Sequence, residues 1–223
     1  MPMPAINSTT DPFGEIISFL LPFCLLLIFI PPVYNTVYLI VREKESRIKE
    51  SMRMMGMSDI SYWLSWYVYY TCVTTVIVFF SWVVLLVNVI TYSNSFLVLV
   101  FMLLYAQAVF AQILFISMFF ENSKYSNIVG ALIYFAFYLF SIPVSSSTAS
   151  PAAKIALSIF PQVAMFQICS VFGELESNSV GMSFSNSTEI IGNYTYMSGI
   201  TMLIVFSFFW TILAFYLDKV LPR

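Results

Sequence analysis

The sequence predicts an all-α membrane protein with five transmembrane helices and one pair of short re-entrant helices. Hydrophobic residues make up 60% of the 223-residue chain and charged residues only 9%, whereas soluble domains contain about 25% charged residues. Two long stretches, 16–41 and 60–120, contain no charged residue, and about 20 apolar residues are enough for one helical crossing of a bilayer. Eight of the 20 charged residues gather between them, in the segment 42–57, which predicts a short polar helix there.

Five crossings account for the apolar stretches. The predicted crossings are 16–41, 62–90, 96–120, 125–144 and 197–217. Prolines at 22, 31 and 32 interrupt the hydrogen bonds of the first one, so it is kinked or, alternatively, begins only near Pro32 behind a short re-entrant piece. The uncharged stretch 60–120 is too long for one crossing, and its polar cluster 91–95 predicts the turn that divides it into two.

A different pattern follows the fourth crossing. The segments 151–160 and 161–172 are short and apolar, and each begins with proline, which is typical of the first helical position. Each would span about 15–18 Å, roughly half of a membrane. We therefore expect a re-entrant helix pair over 151–172, and the alternative is two amphipathic helices on the membrane surface. The polar segment 173–196 is predicted to be an extracellular loop, and 1–15 the end of an extracellular segment.

The charged segment 42–57 has the pattern of an amphipathic helix. Charges of opposite sign are spaced three or four residues apart, in the order that stabilises helices. The predicted pairs are Glu43–Arg47, Glu45–Lys49 and Glu50–Arg53. Ile48, Met52 and Met55 form one apolar stripe, Gly56 is placed to end the helix, and Ser58 or Asp59 to cap the next one. The alternative is a solvated loop that only sets the topology.

Charge and glycosylation patterns predict the same orientation. Lys and Arg favour the cytoplasmic side of a membrane, and five of the nine lie within 42–59. With five crossings, this places the N-terminus outside and the C-terminus in the cytoplasm. The Asn-x-Ser/Thr sequences at Asn7, Asn186 and Asn193 then all lie outside. We expect glycans at Asn186 and Asn193, because Asn7 is close to the membrane.

The composition disfavours several functions. The chain contains no histidine and three scattered cysteines, so we expect no metal site, no Ser-His-Asp or Cys-His catalytic site, and no enzyme activity in this chain. No basic patch indicates nucleic-acid binding. The absence of ionisable residues within the crossings disfavours a proton relay or a charged pore. Asn88, Gln107 and Gln112 are polar within the crossings, so they either bond to other helices or line a substrate path.

Three motifs carry a family resemblance. EKESRIKESMRMMGMSD at 43–59, followed by YWLSW at 62–66, resembles the segment between two membrane helices in the A subfamily of ABC transporters, a group that moves lipids. GMSFSN at 181–186 is similar to the family pattern G-x-x-W-x-N, with Phe184 in place of Trp. YLDKVLP at 216–222 resembles the end of the family's membrane domain. The likeness extends from about residue 16 onward and is greatest to the first half of full-length members.

The resemblance implies an ABC-2 type exporter transmembrane domain that lacks its first helix. ATP and Mg would be bound by a nucleotide-binding domain outside this chain, because no GxxxxGK[ST] loop occurs in it. The helix at 42–57 would be the coupling helix that contacts this domain, and its methionines offer an adaptable surface. Its candidate contact residues are Glu43, Glu45, Arg47, Lys49, Glu50, Met52, Arg53, Met55 and Gly56.

The expected function is ATP-driven movement of lipids by the parent protein. Its expected partners are membrane lipids, the nucleotide-binding domain of the same polypeptide and a second transmembrane half. Two alternatives remain open at this point: an ABC exporter of another cargo, and a receptor or channel subunit that does not use ATP.

Overall fold

A computed structural model describes residues 12–88, 92–146, 149–178 and 180–220, with the backbone alone at 12–18 and 87–88. Within these ranges the chain is helical, with no strand and one isolated β-bridge. The helices are α1 (Pro12–Glu45), α2 (Ile48–Met54), α3 (Asp59–Asn88), α4 (Ser95–Ser117), α5 (Ser123–Leu139), α6 (Pro151–Leu157), α7 (Pro161–Ser177) and α8 (Tyr196–Val220), with a 3₁₀ turn at Ile142–Val144. Five of these helices, α1, α3, α4, α5 and α8, are long and apolar enough to cross a membrane.

Helix α1 is continuous through its three internal prolines. The alternative of a late start near Pro32 is therefore wrong. A membrane helix tolerates proline where neighbouring helices compensate for the lost hydrogen bonds, and α1 has such neighbours in α5 and α7. Its side chains Leu26, Phe29, Val33 and Val37 are completely buried against them. The helix also extends beyond the predicted crossing 16–41 and ends only at Glu45.

Helix α4 forms the centre of the bundle. In the apolar membrane-crossing stretch of α4, 72% is buried, whereas only 17% of the corresponding stretch is buried in each of α3 and α8. It packs against α8, α3 and α1, and three fully or almost fully buried alanines, Ala106, Ala108 and Ala111, line it. Small residues allow membrane helices to approach closely. Helices α3 and α8, which are less buried, therefore lie at the periphery of the bundle.

The two helices predicted over 151–172 differ in length and burial. Helix α6 has seven residues, and α7 has 17 and runs to Ser177, so the predicted loop 173–196 begins five residues too early. Thirteen residues of α7 are buried, and it packs against α1 and α8. This burial argues against the alternative of a surface helix for α7, because such a helix would keep one side exposed. Insertion of the pair into a membrane stays a prediction.

A loop between α7 and α8 closes the end of the bundle opposite to α2. Gly181 lies against the backbone of Tyr92: a Cβ atom on it would be 2.2 Å from the Tyr92 carbonyl oxygen, and its φ is +67°. The Asn186 side chain donates to the Gly181 carbonyl oxygen (2.9 Å) and accepts from the Ser183 amide (2.7 Å). Glycine and asparagine of the 181–186 motif thus hold this loop in place.

The two predicted glycosylation sites in this loop differ in burial. Asn186 is buried and its amide nitrogen is hydrogen-bonded to Gly181, so in the folded chain this nitrogen is not accessible for a glycan. A glycan at Asn186 stays a prediction, and the burial of this side chain in the loop argues against it. Asn193 is exposed. Nearby, Lys154 donates to the Gly192 carbonyl oxygen (2.6 Å), and burial lowers the pKa of its ammonium group, an effect that Glu174 opposes.

Replacing Gly181 by alanine is expected to destabilise the protein by about 4 kcal/mol or more, because the new Cβ meets backbone atoms that cannot move without opening the loop. Gly56 is the matched control, since its φ is +93° but a Cβ atom added to it would have no other atom within 4 Å. Gly56→Ala should cost only the strain of a left-handed backbone, about 1–2 kcal/mol. The apparent melting temperatures of both variants in detergent test this order. Equal losses would contradict the role of the Tyr92 contact.

Candidate coupling site at the charged end of the bundle

The charged segment is divided into two helices. Helix α1 continues through Glu45, and α2 begins at Ile48 after a turn in which Arg47 has the left-handed conformation (φ 53°). The prediction of one helix over 42–57 is therefore wrong. The turn lies where the bundle's other helices begin or end, and we call this the charged end of the bundle.

Three consecutive residues at the end of α1 bind three other helices. Glu43 accepts hydrogen bonds from the Tyr62 hydroxyl (2.9 Å) and the Trp66 indole (3.0 Å) of α3. The Lys44 ammonium group donates to three backbone carbonyls at the end of α4, at 2.7–3.1 Å. Glu45 accepts from the first backbone amide of α5, that of Ser123 (3.0 Å).

The contacts of Lys44 and Glu45 provide charged partners for backbone groups at two helix ends. The last carbonyls of a helix and its first amides have no partner within the helix, and they carry partial negative and positive charge respectively. Lys44 provides a cation at the carbonyl end of α4, and Glu45 an anion at the amide end of α5. Two neighbouring residues of α1 thus hold both sides of the α4–α5 connection.

Lys49 of α2 contacts the other end of the chain. Its ammonium group forms an ion pair with Asp218 near the end of α8, at 2.5 Å. It also lies over the rings of Trp63 (5.0 Å) and Tyr62 (5.5 Å) of α3, which are favourable cation–π positions. Through Lys49, the short helix α2 is joined to both peripheral helices of the bundle.

The three ion pairs predicted along the helix are absent. Within the described ranges, none of Glu43–Arg47, Glu45–Lys49 and Glu50–Arg53 closes to 4 Å. The turn at Arg47 interrupts the helical register that the first two pairs require, and partners from other helices take their place. The sequence predicted partners within the segment, whereas Glu43, Glu45 and Lys49 find theirs on other helices.

The remaining surface of α2 is exposed. None of its seven residues is buried, so the predicted apolar stripe of Ile48, Met52 and Met55 does not face the bundle, although Met52 is half-buried. Met54 and Met55 are about four-fifths exposed, at 84% and 79%. Isolated surface methionines are common, but these lie on a helix that is held at its base by Lys49.

The link from α2 to α3 has defined geometry. The Gly56 amide donates to the Arg53 carbonyl oxygen and the Met57 amide to that of Met52, which together form a Schellman motif with Gly56 as the left-handed residue. The predicted helix end at Gly56 is confirmed. Ser58 then accepts from the Ser61 amide (3.3 Å) and caps α3, as predicted for Ser58 or Asp59.

A cleft of about 630 Å³ opens beside α2. It extends from the end of α1 to the end of α8, and Arg47, Glu50, Arg53 and Asp218 line it. Both signs of charge face the same space, so the cleft suits a protein surface of mixed charge better than a single strongly charged ligand.

Of the three predicted substrate-path residues, the structure describes the side chains of Gln107 and Gln112. Gln112 is completely buried and accepts from the Gln162 amide of α7 (2.6 Å), so it joins α4 to α7. Gln107 pairs with Thr71 (3.3 Å) and lines a second cavity, a groove of about 780 Å³ between α3, α4 and α8. The Asn88 side chain lies outside the described residues. The contact of Gln112 fits the interhelical alternative, and the substrate path stays a prediction.

Two residues of this candidate site were not among the residues that the sequence predicted for it. Lys44 lies within the charged segment, but no acidic residue follows it at a spacing of three or four residues. The carbonyl groups that it binds are 73–76 residues further along the chain. Asp218 is the only acidic residue after Glu189 and also lies in the YLDKVLP motif, and these two features could have singled it out.

Comparison with known proteins identifies the family. A family model described as "ABC-2 family transporter protein" matches residues 2–216. Such a match covers the five candidate membrane spans almost completely.

Curated relatives match the chain along its length. "ATP-binding cassette sub-family A member 17" of Rattus norvegicus is 26% identical over 227 residues, which cover 99% of this chain and 13% of the relative. "Cholesterol transporter ABCA5" of Homo sapiens is 30% identical over 219 residues (97% and 13%). "Retinal-specific phospholipid-transporting ATPase ABCA4" of Bos taurus is 27% identical over 232 residues (100% and 10%).

The chain thus spans about a tenth of the length of these relatives. What it shares with them is the helical, membrane-spanning segment that contains α1 to α8. Because the family model and the relatives all cover nearly the whole of that segment, the chain belongs to the ABC-2 family of transporter proteins.

Proposed function

We propose that this chain is the membrane-spanning part of an ATP-driven lipid transporter, and that α2 receives the motion of a nucleotide-binding domain. ATP and Mg would be bound by that domain, which would belong to the same polypeptide, and a second transmembrane half would complete the transporter. Lipid as cargo is supported by the names of relatives such as the bovine phospholipid-transporting ATPase.

The observation that carries the proposal is the attachment of α2. Its own surface is exposed, whereas its base is tied to α8 and α3 through Lys49. The end of α1, one turn earlier, is tied to α3, α4 and α5. A push on α2 would therefore reach the ends of all five candidate crossings within a few residues, which is how a rigid-body shift at an interface is transmitted.

The proposed orientation places the charged end in the cytoplasm. The basic residues of α1 and α2, together with Lys124 and Lys219, lie at this end, and Lys154 lies at the other. The excess of Lys and Arg supports a cytoplasmic location. The N-terminus would then be outside and the C-terminus inside.

Replacing Glu50 and Arg53 together by alanine should uncouple ATP hydrolysis from transport in the full-length protein. Both side chains are exposed on α2 and line the cleft, so the expected loss is in communication and not in folding. Lipid-stimulated ATP turnover should fall about tenfold, as expected for 1–3 kcal/mol of coupling free energy. Lys124→Ala, an exposed change at the same end, should leave turnover unchanged. Normal lipid stimulation in the double variant would count against the proposal.

A second test concerns the orientation. In a eukaryotic secretory system, a chain with Asn7 replaced by Gln should carry one glycan, at Asn193, because Asn193 is exposed and Asn186 is buried. Glycosidase treatment should lower the mass of this protein and of its Asn186→Gln variant, and leave that of the Asn193→Gln variant unchanged. A protein with no glycan at all would contradict an external location of this loop.

A further inference from the structure

We propose that the groove between α3, α4 and α8 binds one zwitterionic glycerophospholipid from the leaflet next to the charged end. An acyl chain would lie along the groove, and the headgroup would lie between Asp59 and Lys219 at its mouth. This site goes beyond the proposed function, because binding there requires neither ATP nor movement of α2.

The groove has the size and lining of a lipid site. Its volume is about 780 Å³, which lies within the usual range of small-molecule cavities, about 300–1,000 Å³. Its walls are mainly apolar and aromatic, and Leu64, Phe110, Leu114 and Phe208 contribute to them. Leu64 and Phe208 are 58% and 65% exposed, so the groove is open toward the surroundings of the bundle.

The length of the groove matches one leaflet. On α8 its lining runs from Ser207 to Lys219, and 12 residues at 1.5 Å each make about 18 Å. The hydrocarbon part of one leaflet is about 15 Å thick, half of the bilayer core. Gln107 and Ser207 contribute polar groups far from the mouth, and Gln107 is already bound to Thr71. An acyl chain entering at Lys219 would therefore end near this polar layer.

The charges at the mouth select the headgroup. Asp59, Asp218 and Lys219 line the groove there, but Asp218 is paired with Lys49. Among the described residues, Asp59 and Lys219 form no ion pair. The unpaired charges thus consist of one carboxylate and one ammonium group, which complement the ammonium and phosphate of a zwitterion. An anionic headgroup would meet Asp59 without compensation.

The same charges argue for lipid over a protein helix as the occupant. An apolar helix packed into the groove would offer no partner of opposite charge for Asp59 or Lys219. A zwitterionic lipid covers the apolar walls and neutralises both charges. Its headgroup would also lie beside Trp63 and Asp218, which line both this groove and the cleft at α2.

The test uses the full-length protein in phosphatidylcholine nanodiscs with a trace of phosphatidylcholine that carries a diazirine on its acyl chain. After illumination, mass spectrometry locates the labelled peptides. Peptides that contain Tyr67, Phe110 or Phe208 should be labelled about threefold more than equally exposed residues outside the groove, a difference of less than 1 kcal/mol. Lys219→Gln should lower this labelling about two- to fivefold, as expected for one exposed charge contact. A phosphatidylglycerol probe should label the groove less.

Thr211→Trp and Ile212→Trp form a matched pair. Thr211 lines the groove, and Ile212, its neighbour on α8, is 67% exposed and is not among the lining residues. Tryptophan at 211 should reduce groove labelling to the surrounding level, and tryptophan at 212 should not. Uniform labelling of all exposed faces, labelling unaffected by Thr211→Trp and Lys219→Gln, or a groove occupied by another protein segment would overturn the proposal. Because no ATP is used, failure here leaves the Glu50 and Arg53 test unaffected.

Discussion

The structure depends on how the ends of its membrane helices are satisfied. Inside a bilayer a helix bonds its own backbone, but its last carbonyls and first amides have no internal partner. Here Lys44 and Glu45 at the end of α1 provide such partners at the end of α4 and the start of α5, and Glu43 accepts hydrogen bonds from two side chains of α3. One turn of one helix therefore fixes the relative positions of three others, through charge-assisted hydrogen bonds that are stronger than neutral ones.

This arrangement explains why α2 is suited to transmit motion. A short helix with no buried residue has little stability of its own, and α2 is held instead by the turn at Arg47, the Lys49–Asp218 ion pair and the Gly56 link. All three attachments are at or near the ends of membrane helices. The groove beside α8 ends at the same place, so a lipid headgroup and the coupling cleft would share Trp63 and Asp218.

The opposite end of the bundle is closed by different means. There, Gly181 lets the loop backbone approach the backbone of Tyr92 closely. The Asn186 side chain forms two hydrogen bonds within its own loop. The Glu176 carboxylate adds bonds to the Tyr92 amide and the Ser93 hydroxyl. An Asn-x-Thr sequence cannot reveal whether its side chain is used in this way, and that is why the sequence alone favoured a glycan at Asn186.

The sequence by itself determined the helical membrane fold, the five spans and the site of the charged segment, because the absence of charge over 26 or 61 residues permits little else. It also determined where α2 ends, since Gly56 and its neighbours form a local motif. Only the tertiary structure decided the partners of Glu43, Lys44 and Lys49, the burial of α7 and Gln112, and the grouping of Asp59 with Lys219. Those contacts join residues far apart in the chain, and helical spacing describes only residues three or four positions apart.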